Sequence, residues 1–119
     1  GFYQFLACEH CLGVLPGVKD GPQRLCDACL GQEFLLSAAA VFLWVAVVER
    51  MVWRYGERAY RYLLLDAGHI CQNLYLAAEA VGCGVCAVGA FSDDDLNRLL
   101  SLDGRERFVV YGAAVGKKP

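Results

Sequence analysis

The sequence predicts an α/β or α+β architecture, a sheet packed by helices. Three observations support this prediction. One run with the period of a helix extends from Glu57 to Val81. Two apolar runs, Ala40–Val48 and Cys83–Phe91, lack that period and have the length of buried strands. A third run, ERFVVYGAAVG, predicts a last strand, so that strands and helices alternate along the chain.

The N-terminal third predicts a hairpin, a helix and the first buried strand. GFYQFLA and EHCLGVL alternate weakly and are rich in aromatic and branched residues, which favours two short strands. Asp20 is expected to cap a helix that begins near Pro22 and ends at Gly31. The uncharged run Phe34–Val48 holds about 15 residues, fewer than the ~20 that a membrane-spanning helix needs. It therefore predicts a short helical approach followed by the strand.

The remaining elements are predicted from their boundary signals. The segment ERMVWRYGERAY indicates irregular or loosely helical structure that is broken at Gly56. Gly82 is the natural terminator of the long helix, because glycine adopts the left-handed conformation without steric cost. Ser92 is expected to cap a further helix with three aspartates in its first turn, ending near Leu102. The dipeptide Asp-Gly then predicts a turn before the last strand, which ends at KKP.

A polar stripe interrupts the long helix. Asp66, His69 and Asn73 follow one another at spacings of three and four, which places them on one helical face. From composition alone we expect this stripe to face water, since most polar stripes do. The alternative is that these side chains are buried and hydrogen-bonded at an interface or beneath a pocket.

Length and composition exclude several classes of protein. With 119 residues the chain is expected to form one domain, residues 1–119. Apolar residues make up 57% of the sequence, which suggests that extra surface is buried against a partner or ligand. A net charge of −2 gives no indication of nucleic-acid binding, and no membrane segment is predicted. Seven cysteines without a signal peptide favour free thiols in the cytoplasm.

The cysteines also permit a different reading. Cys8 and Cys11 form one CxxCxG unit and Cys26 and Cys29 form a second, with about 14 residues between the pairs. That spacing is close to a four-cysteine zinc ribbon, which would make the chain a structural or interaction module. The predicted helix around the second pair argues against zinc, and we expect no metal site. A third CxxC, Cys83–Cys86, lies in a predicted strand and is interpreted as core.

The C-terminal three quarters of the chain, from LGQEF to Lys118, resembles the nitroreductase family of flavoproteins. The similarity is carried by RYGERAYRYLLLDAGHICQNLYLAAEAVGCGVCAVGAFSDDDLNRLLSLDG and by FVVYGAAVGKK. Within the family these segments are most similar to the SagB-type dehydrogenases, which oxidise azolines to thiazoles and oxazoles. The resemblance implies an α+β fold with a mixed sheet and a homodimer with FMN at its interface. It places the long helix in the dimer core, which favours the buried reading of the polar stripe.

The resemblance also implies an activity and a cofactor site. Hydride would pass between a reduced nicotinamide, NADH or NADPH, or a small-molecule substrate and an acceptor by way of flavin N5. Gly89 and Ala90 would present backbone amides to N5 and O4, where the absence of a bulky side chain permits close approach. Lys117 and Lys118 match a basic position after the last strand that is aimed at the FMN phosphate. A strand-to-helix turn and a basic tail are the plainer alternatives.

Two departures from the family pattern concern catalysis and the N-terminus. SagB-type members have a Lys-Tyr pair assigned to catalysis, and this chain has Arg54 and Tyr55. Arginine does not accept a proton at physiological pH, whereas Tyr55 could donate one or orient a substrate. The family's arginine-rich flavin-phosphate segment has no counterpart here, and the chain starts without methionine. We therefore expect an incomplete version of the fold, or a degenerate member that dimerises without flavin.

Overall fold

In the computed structural model, which describes residues 1–118, an N-terminal hairpin precedes a three-stranded antiparallel sheet with helices on both faces. The elements in chain order are β1 (Tyr3–Leu6), β2 (Cys11–Val14), α1 (Gly21–Ala28), α2 (Phe34–Ser37), β3 (Ala40–Val47), α3 (Glu49–Tyr55), α4 (Ala59–Ala80), β4 (Cys83–Val88), α5 (Asp93–Leu99) and β5 (Arg107–Lys117). A 3₁₀ turn, Gly56–Arg58, joins α3 to α4. The α+β prediction is confirmed. Pro119, the predicted end of the basic tail, lies outside the described residues.

The last strand of the chain is the centre of the sheet. Its order is β3-β5-β4, and both neighbours run antiparallel to β5. The two strands that were predicted to be buried are therefore edges, and this part of the prediction is wrong. Only Ala46 in β3 and Val88 in β4 are buried, while Phe42 is 45% exposed. Each edge strand has a neighbour on one side only, so its apolar side chains are incompletely covered.

The hydrophobic core lies between the sheet and the three shorter helices α1, α2 and α5. Leu96 has no exposed surface, and Val109 and Cys29 are almost as fully enclosed. The buried cluster consists of Leu25, Ala28, Cys29, Leu35, Val88, Leu96, Leu99, Val109 and Ala114. These side chains lie in or directly after five elements, α1, α2, β4, α5 and β5, so this face of the sheet holds the chain together.

Helix α4 covers the opposite face with small side chains. Of its 22 residues only Ala59, Ala67, Cys71 and Ala78 are buried. Its large apolar side chains point outward instead, including Leu64 and Leu76, which are 64% and 63% exposed. None of the helices in residues 1–118 combines the length and hydrophobicity that a membrane-spanning helix requires.

The polar stripe of α4 lies on the outward surface. Asp66, His69 and Asn73 are all exposed, and Nδ1 of His69 lies 2.7 Å from the backbone carbonyl oxygen of Leu65. Their predicted burial is thus wrong for the single chain. The sheet is reached by the alanine and cysteine side chains on the other side of the helix, which allow a close approach.

Local signals predicted the starts of α1 and α5 and the end of α4, whereas α1 and α5 end three residues before the predicted Gly31 and Leu102. The Ser92 hydroxyl accepts a hydrogen bond from the Asp95 amide at 3.4 Å, as a capping residue should. Gly82 follows α4 with a φ of 73°, the left-handed conformation that was expected. Asp20 precedes α1 but makes no side-chain capping bond, because it has itself a left-handed backbone with φ 54°. Its carboxylate is therefore not directed at the amides of the first turn.

Candidate functional site

The turn after β4 is fastened to α1 and to the loop that follows it. The Ser92 amide donates to the carbonyl oxygen of Ala28 at 2.8 Å. The side-chain amide of Gln32 donates to two carbonyl oxygens, Cys29 at 2.7 Å and Ala90 at 2.8 Å. These three bonds fix residues 90–92 against the end of α1, so the turn that holds Gly89 and Ala90 has a defined position.

The amides of Gly89 and Ala90 are available to a ligand. Both residues are exposed, and no hydrogen bond among residues 1–118 has either amide as its donor. Two positions earlier, the Ala87 amide donates to the Tyr75 hydroxyl at 3.1 Å, on the edge of β4 that faces away from β5. Alternate amides of a strand point to the same side, so the Gly89 amide continues this outward edge.

Tyr111 lies directly beside the turn. A Cβ added to Gly89 would meet the Tyr111 ring at 3.5 Å, an ordinary contact, and the backbone there has no positive φ. Glycine at position 89 is therefore required neither by the backbone conformation nor by a steric clash within the chain. Burial raises the pKa of Tyr111, and the nearby Cys71 and Tyr75 raise it further, so its hydroxyl stays protonated.

The two lysines stand at the other end of the β4–β5 ladder. Lys117 pairs with Cys83, whereas Val88, next to the turn, pairs with Gly112. Five residue positions at about 3.4 Å each separate these ends by roughly 17 Å. Lys118 forms an ion pair with Glu79 of α4. Lys117 belongs to neither of the ion pairs found among residues 1–118.

A groove of about 390 Å³ runs along this ladder toward the lysines. Its floor contains Gly84, Ala114 and Gly116, whose small size leaves the backbone accessible. Phe34 forms one wall, and the aliphatic chain of Lys118 lies 3.5 Å from the position of a Cβ at Gly84. Lys117 and Lys118 belong to the same lining, so basic side chains border the groove.

Arg54 and Tyr55 lie at the end of α3. The Arg54 guanidinium carbon sits 5.4 Å from the centre of the Tyr55 ring, and the Tyr55 and Tyr62 ring centres are 4.4 Å apart. Tyr55 is 37% exposed, and the neighbouring Trp53 is 78% exposed. The arginine and the two tyrosines thus form an exposed cluster where α3 meets the start of α4.

The four cysteines of the zinc reading do not meet. Cys8 and Cys11 are exposed in the hairpin, whereas Cys26 and Cys29 are buried in the core. Among residues 1–118 no three histidine, cysteine, aspartate or glutamate side chains converge in a way that would hold a metal ion. Cys26 and Cys29 are 2% and 1% exposed and are therefore core residues, and burial, followed by the charge of Cys26, raises the pKa of the Cys29 thiol.

Three residues around the turn were not singled out from the sequence. Gln32 holds the Ala90 carbonyl, Tyr75 takes the edge amide of β4, and Tyr111 supports Gly89. The spacing of Tyr75 from Cys71, four residues, puts both on neighbouring positions of one helix face and was a usable signal. No local pattern marks Gln32, because its partner Ala90 is 58 residues away.

Comparison with known proteins identifies the family. The model of the nitroreductase family matches residues 9–117, and the chain therefore belongs to this family. A protein of Methanocaldococcus jannaschii that is assigned to the nitroreductases is 33% identical over 102 residues. This match covers 86% of the chain and 51% of the relative, so the chain spans about half the length of that protein.

Solved structures share the fold. A nitroreductase-assigned protein from Anabaena variabilis is similar over 98% of this chain and 24% of its own, with a TM-score of 0.85 and 33% identity. The microcin synthetase complex McbBCD of E. coli, with truncated pro-MccB17 bound, aligns over 98% and 44% with a TM-score of 0.86 and 20% identity. The NADPH:FMN oxidoreductase of Vibrio harveyi, complexed with NAD+, aligns over 86% and 47% with a TM-score of 0.72 and 22% identity.

Proposed function

We propose that the chain forms part of an FMN-dependent oxidoreductase in which hydride passes between a reduced nicotinamide or a substrate and an acceptor. This proposal rests on the backbone amides of Gly89 and Ala90, neither of which donates a hydrogen bond within residues 1–118. Membership of the nitroreductase family supports it, as does the similarity to a protein named NADPH:FMN oxidoreductase. Free thiols at all seven cysteines are consistent with a cytoplasmic protein.

The described residues fit a flavin mononucleotide. Gly89 and Ala90 would donate to the acceptors N5 and O4 of the ring, and Lys117 would face the phosphate. The roughly 17 Å between these ends can be spanned by an extended FMN together with the reach of a lysine side chain. Lys118 is less suited to the phosphate, because the Glu79 carboxylate already neutralises its charge. This division of roles refines the expectation that either lysine serves.

Bound flavin would supply the hydride chemistry, and the protein would supply orientation and proton handling. Donors fixed by Gln32 and Ser92 need no reorganisation when charge develops on the acceptor they face. Arg54 holds its positive charge at all physiological pH values and so orients rather than accepts a proton. We assign Tyr55 as a donor or orienting group, with a ring that lies next to both Arg54 and Tyr62.

We propose that two copies associate through the outer surface of α4. Leu65 and Leu76 are 50% and 63% exposed there, although monomeric proteins rarely leave large apolar side chains together on one helix. The exposed stripe of Asp66, His69 and Asn73 lies on the same outer side and would become buried and hydrogen-bonded in the dimer.

The variant Ala90→Pro tests the flavin site, because it removes one amide donor with little added bulk. We expect it to weaken FMN binding at least about tenfold, measured by flavin fluorescence, while the unfolding transition is retained. Ala7→Pro, in the exposed hairpin turn, is the matched control and should bind FMN like the parent. Equal binding by Ala90→Pro and parent would place the flavin elsewhere, and a parent that binds no FMN would favour the degenerate alternative.

A further inference from the structure

A second cavity, separate from the turn and the lysines, lies where α5, the loop before β5 and the start of α4 meet. Its volume is about 460 Å³, within the range of sites that hold small organic ligands. The lining combines two carboxylates, one guanidinium, two aromatic rings and a buried side-chain amide. They belong to Asp93, Asp94, Arg105, Tyr60, Phe108 and Asn97.

Asn97 is the feature that points to a ligand. It is only 6% exposed and is the sole buried polar side chain among residues 1–118. Its Oδ1 accepts from the Val109 amide at 2.9 Å, which fixes the orientation of the group. No hydrogen bond among these residues uses Nδ2, which lies near Gly104 at the cavity wall. No fully buried side-chain nitrogen or oxygen among residues 1–118 lacks a partner, so the unpaired Nδ2 is open to the cavity, where it has two hydrogens to donate to an acceptor.

The charges of the lining select the type of ligand. Asp93 and Asp94 contribute two negative charges and Arg105 contributes one positive charge, so the wall carries a net charge of −1. Asp93 and Asp94 precede Asn97 by four and three residues and therefore share its face of α5. A cation next to a carbonyl oxygen matches this face: the cation would contact the carboxylates, and the oxygen would accept from Nδ2 of Asn97.

The aromatic rings and the arginine complete the match. Tyr60 and Phe108 offer apolar surface, and aromatic faces also attract ammonium groups. Arg105 presents a donor to a second carbonyl oxygen, and its loop is ordered because Asp103 Oδ1 accepts from the amides of residues 105, 106 and 107 at 2.8–2.9 Å. A free amino acid fits less well, since its own carboxylate would stand beside two aspartates.

We propose that this cavity binds the amino terminus of a peptide. The α-ammonium group contacts Asp93 and Asp94, the first carbonyl oxygen accepts from Asn97, and the first side chain packs on Tyr60 and Phe108. This inference does not depend on the flavin site, which lies at the other end of the turn between β4 and α5.

The first test is an NMR titration of the ¹⁵N-labelled chain with leucylglycinamide, which has a free ammonium group followed by a carbonyl. The side-chain amide of Asn97 and the backbone amide of Gly104 are expected to shift. N-acetyl-leucylglycinamide, which lacks the positive charge, should bind at least about tenfold more weakly. Shifts of equal size with both compounds, or no shift at Asn97 with either, would overturn the proposal.

The second test uses exposed residues, so that folding is preserved. The double variant Asp93→Asn/Asp94→Asn should lower the affinity for leucylglycinamide at least about tenfold. Glu9→Gln removes a carboxylate from the exposed hairpin turn and should leave it unchanged. A stronger response of the parent to methylguanidinium than to leucylglycinamide would instead assign the cavity to basic side chains and overturn the amino-terminus assignment.

Discussion

The two faces of the three-stranded sheet are built in opposite ways. On one face, α1, α2 and α5 enclose large side chains such as Leu25 and Leu96 in a continuous core. On the other, α4 approaches through Ala67, Cys71 and Ala78 and leaves its large side chains outside. The first face is complete within the chain, whereas the second has an apolar outer layer without a cover. The core face therefore determines the stability of the chain, and the α4 face is suited to association.

The largest effect that separates the faces is expected from core truncation. Leu96→Ala should lower the free energy of unfolding by about 3 kcal/mol, since it leaves a cavity at a fully enclosed position. Leu64→Ala on α4 should change it by less than about 0.5 kcal/mol, because that side chain is 64% exposed. Urea denaturation at low protein concentration measures both. Equal losses would show that α4 is as much a part of the core as α5.

A charge variant tests whether two copies associate through the outer surface of α4. Leu65→Glu/Leu76→Glu should weaken self-association at least about a hundredfold, because two carboxylates would be buried in an apolar contact. The unfolding free energy of the single chain should change little. Sedimentation equilibrium is the measurement, with Leu12→Glu in the hairpin, 63% exposed in the parent, as the matched control. A parent chain that remains monomeric at all concentrations would contradict the dimer proposal.

A smaller effect is expected from replacing the two lysines at the edge of the sheet, which should differ in how much they contribute to FMN binding. Lys117→Gln should weaken FMN binding about tenfold and leave riboflavin binding unchanged, since riboflavin has no phosphate. Lys118→Gln should weaken FMN binding less, because the Lys118 ammonium group already forms an ion pair with Glu79. Fluorescence titration of both flavins checks the assignment. Equal loss of riboflavin binding in Lys117→Gln would argue against a phosphate contact.

The smallest effect concerns the loop that leads into β5. Three backbone amides donate to Asp103, and they hold its carboxyl pKa below the ordinary 3.8. The stabilisation is therefore present above about pH 4 and is lost as the pH falls through the lower pKa of the folded state. We expect the melting temperature of Asp103→Asn to depend less on pH between about 4 and 2 than that of the parent. Identical profiles would exclude this contribution.

Much of the fold could be predicted from local signals, and burial could not. The ends of α4 and the cap at Ser92 depend on residues within a few positions of each other, and the structure confirms both. That β3 and β4 are edges depends on strand order, to which Ala40–Val47 and Cys83–Val88 give no clue by themselves. The apolar character of α4 was visible, but not which of its sides meets the sheet.

The candidate sites divide in the same way. The turn at Gly89 and Ala90 was proposed as a flavin contact from a family resemblance. That its two backbone amides donate no hydrogen bond within the described residues is a feature that only the structure could reveal. The proposed roles of Lys117 and Lys118 differ only because Glu79, distant in sequence, forms an ion pair with Lys118. Asn97 escaped notice because it stands beside Arg98 and shortly after three aspartates, where a polar residue is expected to face water.

The double hydrogen bond of Gln32 has a consequence for the opening of the structure. One side-chain amide joins the carbonyl oxygens of Cys29 and Ala90, so the turn cannot move away from α1 without losing that link. Local opening of the turn and fraying of the end of α1 should then occur as one cooperative event rather than two. Any ligand held by the turn would slow hydrogen exchange in α1, which lies more than 60 positions earlier in the sequence than Gly89.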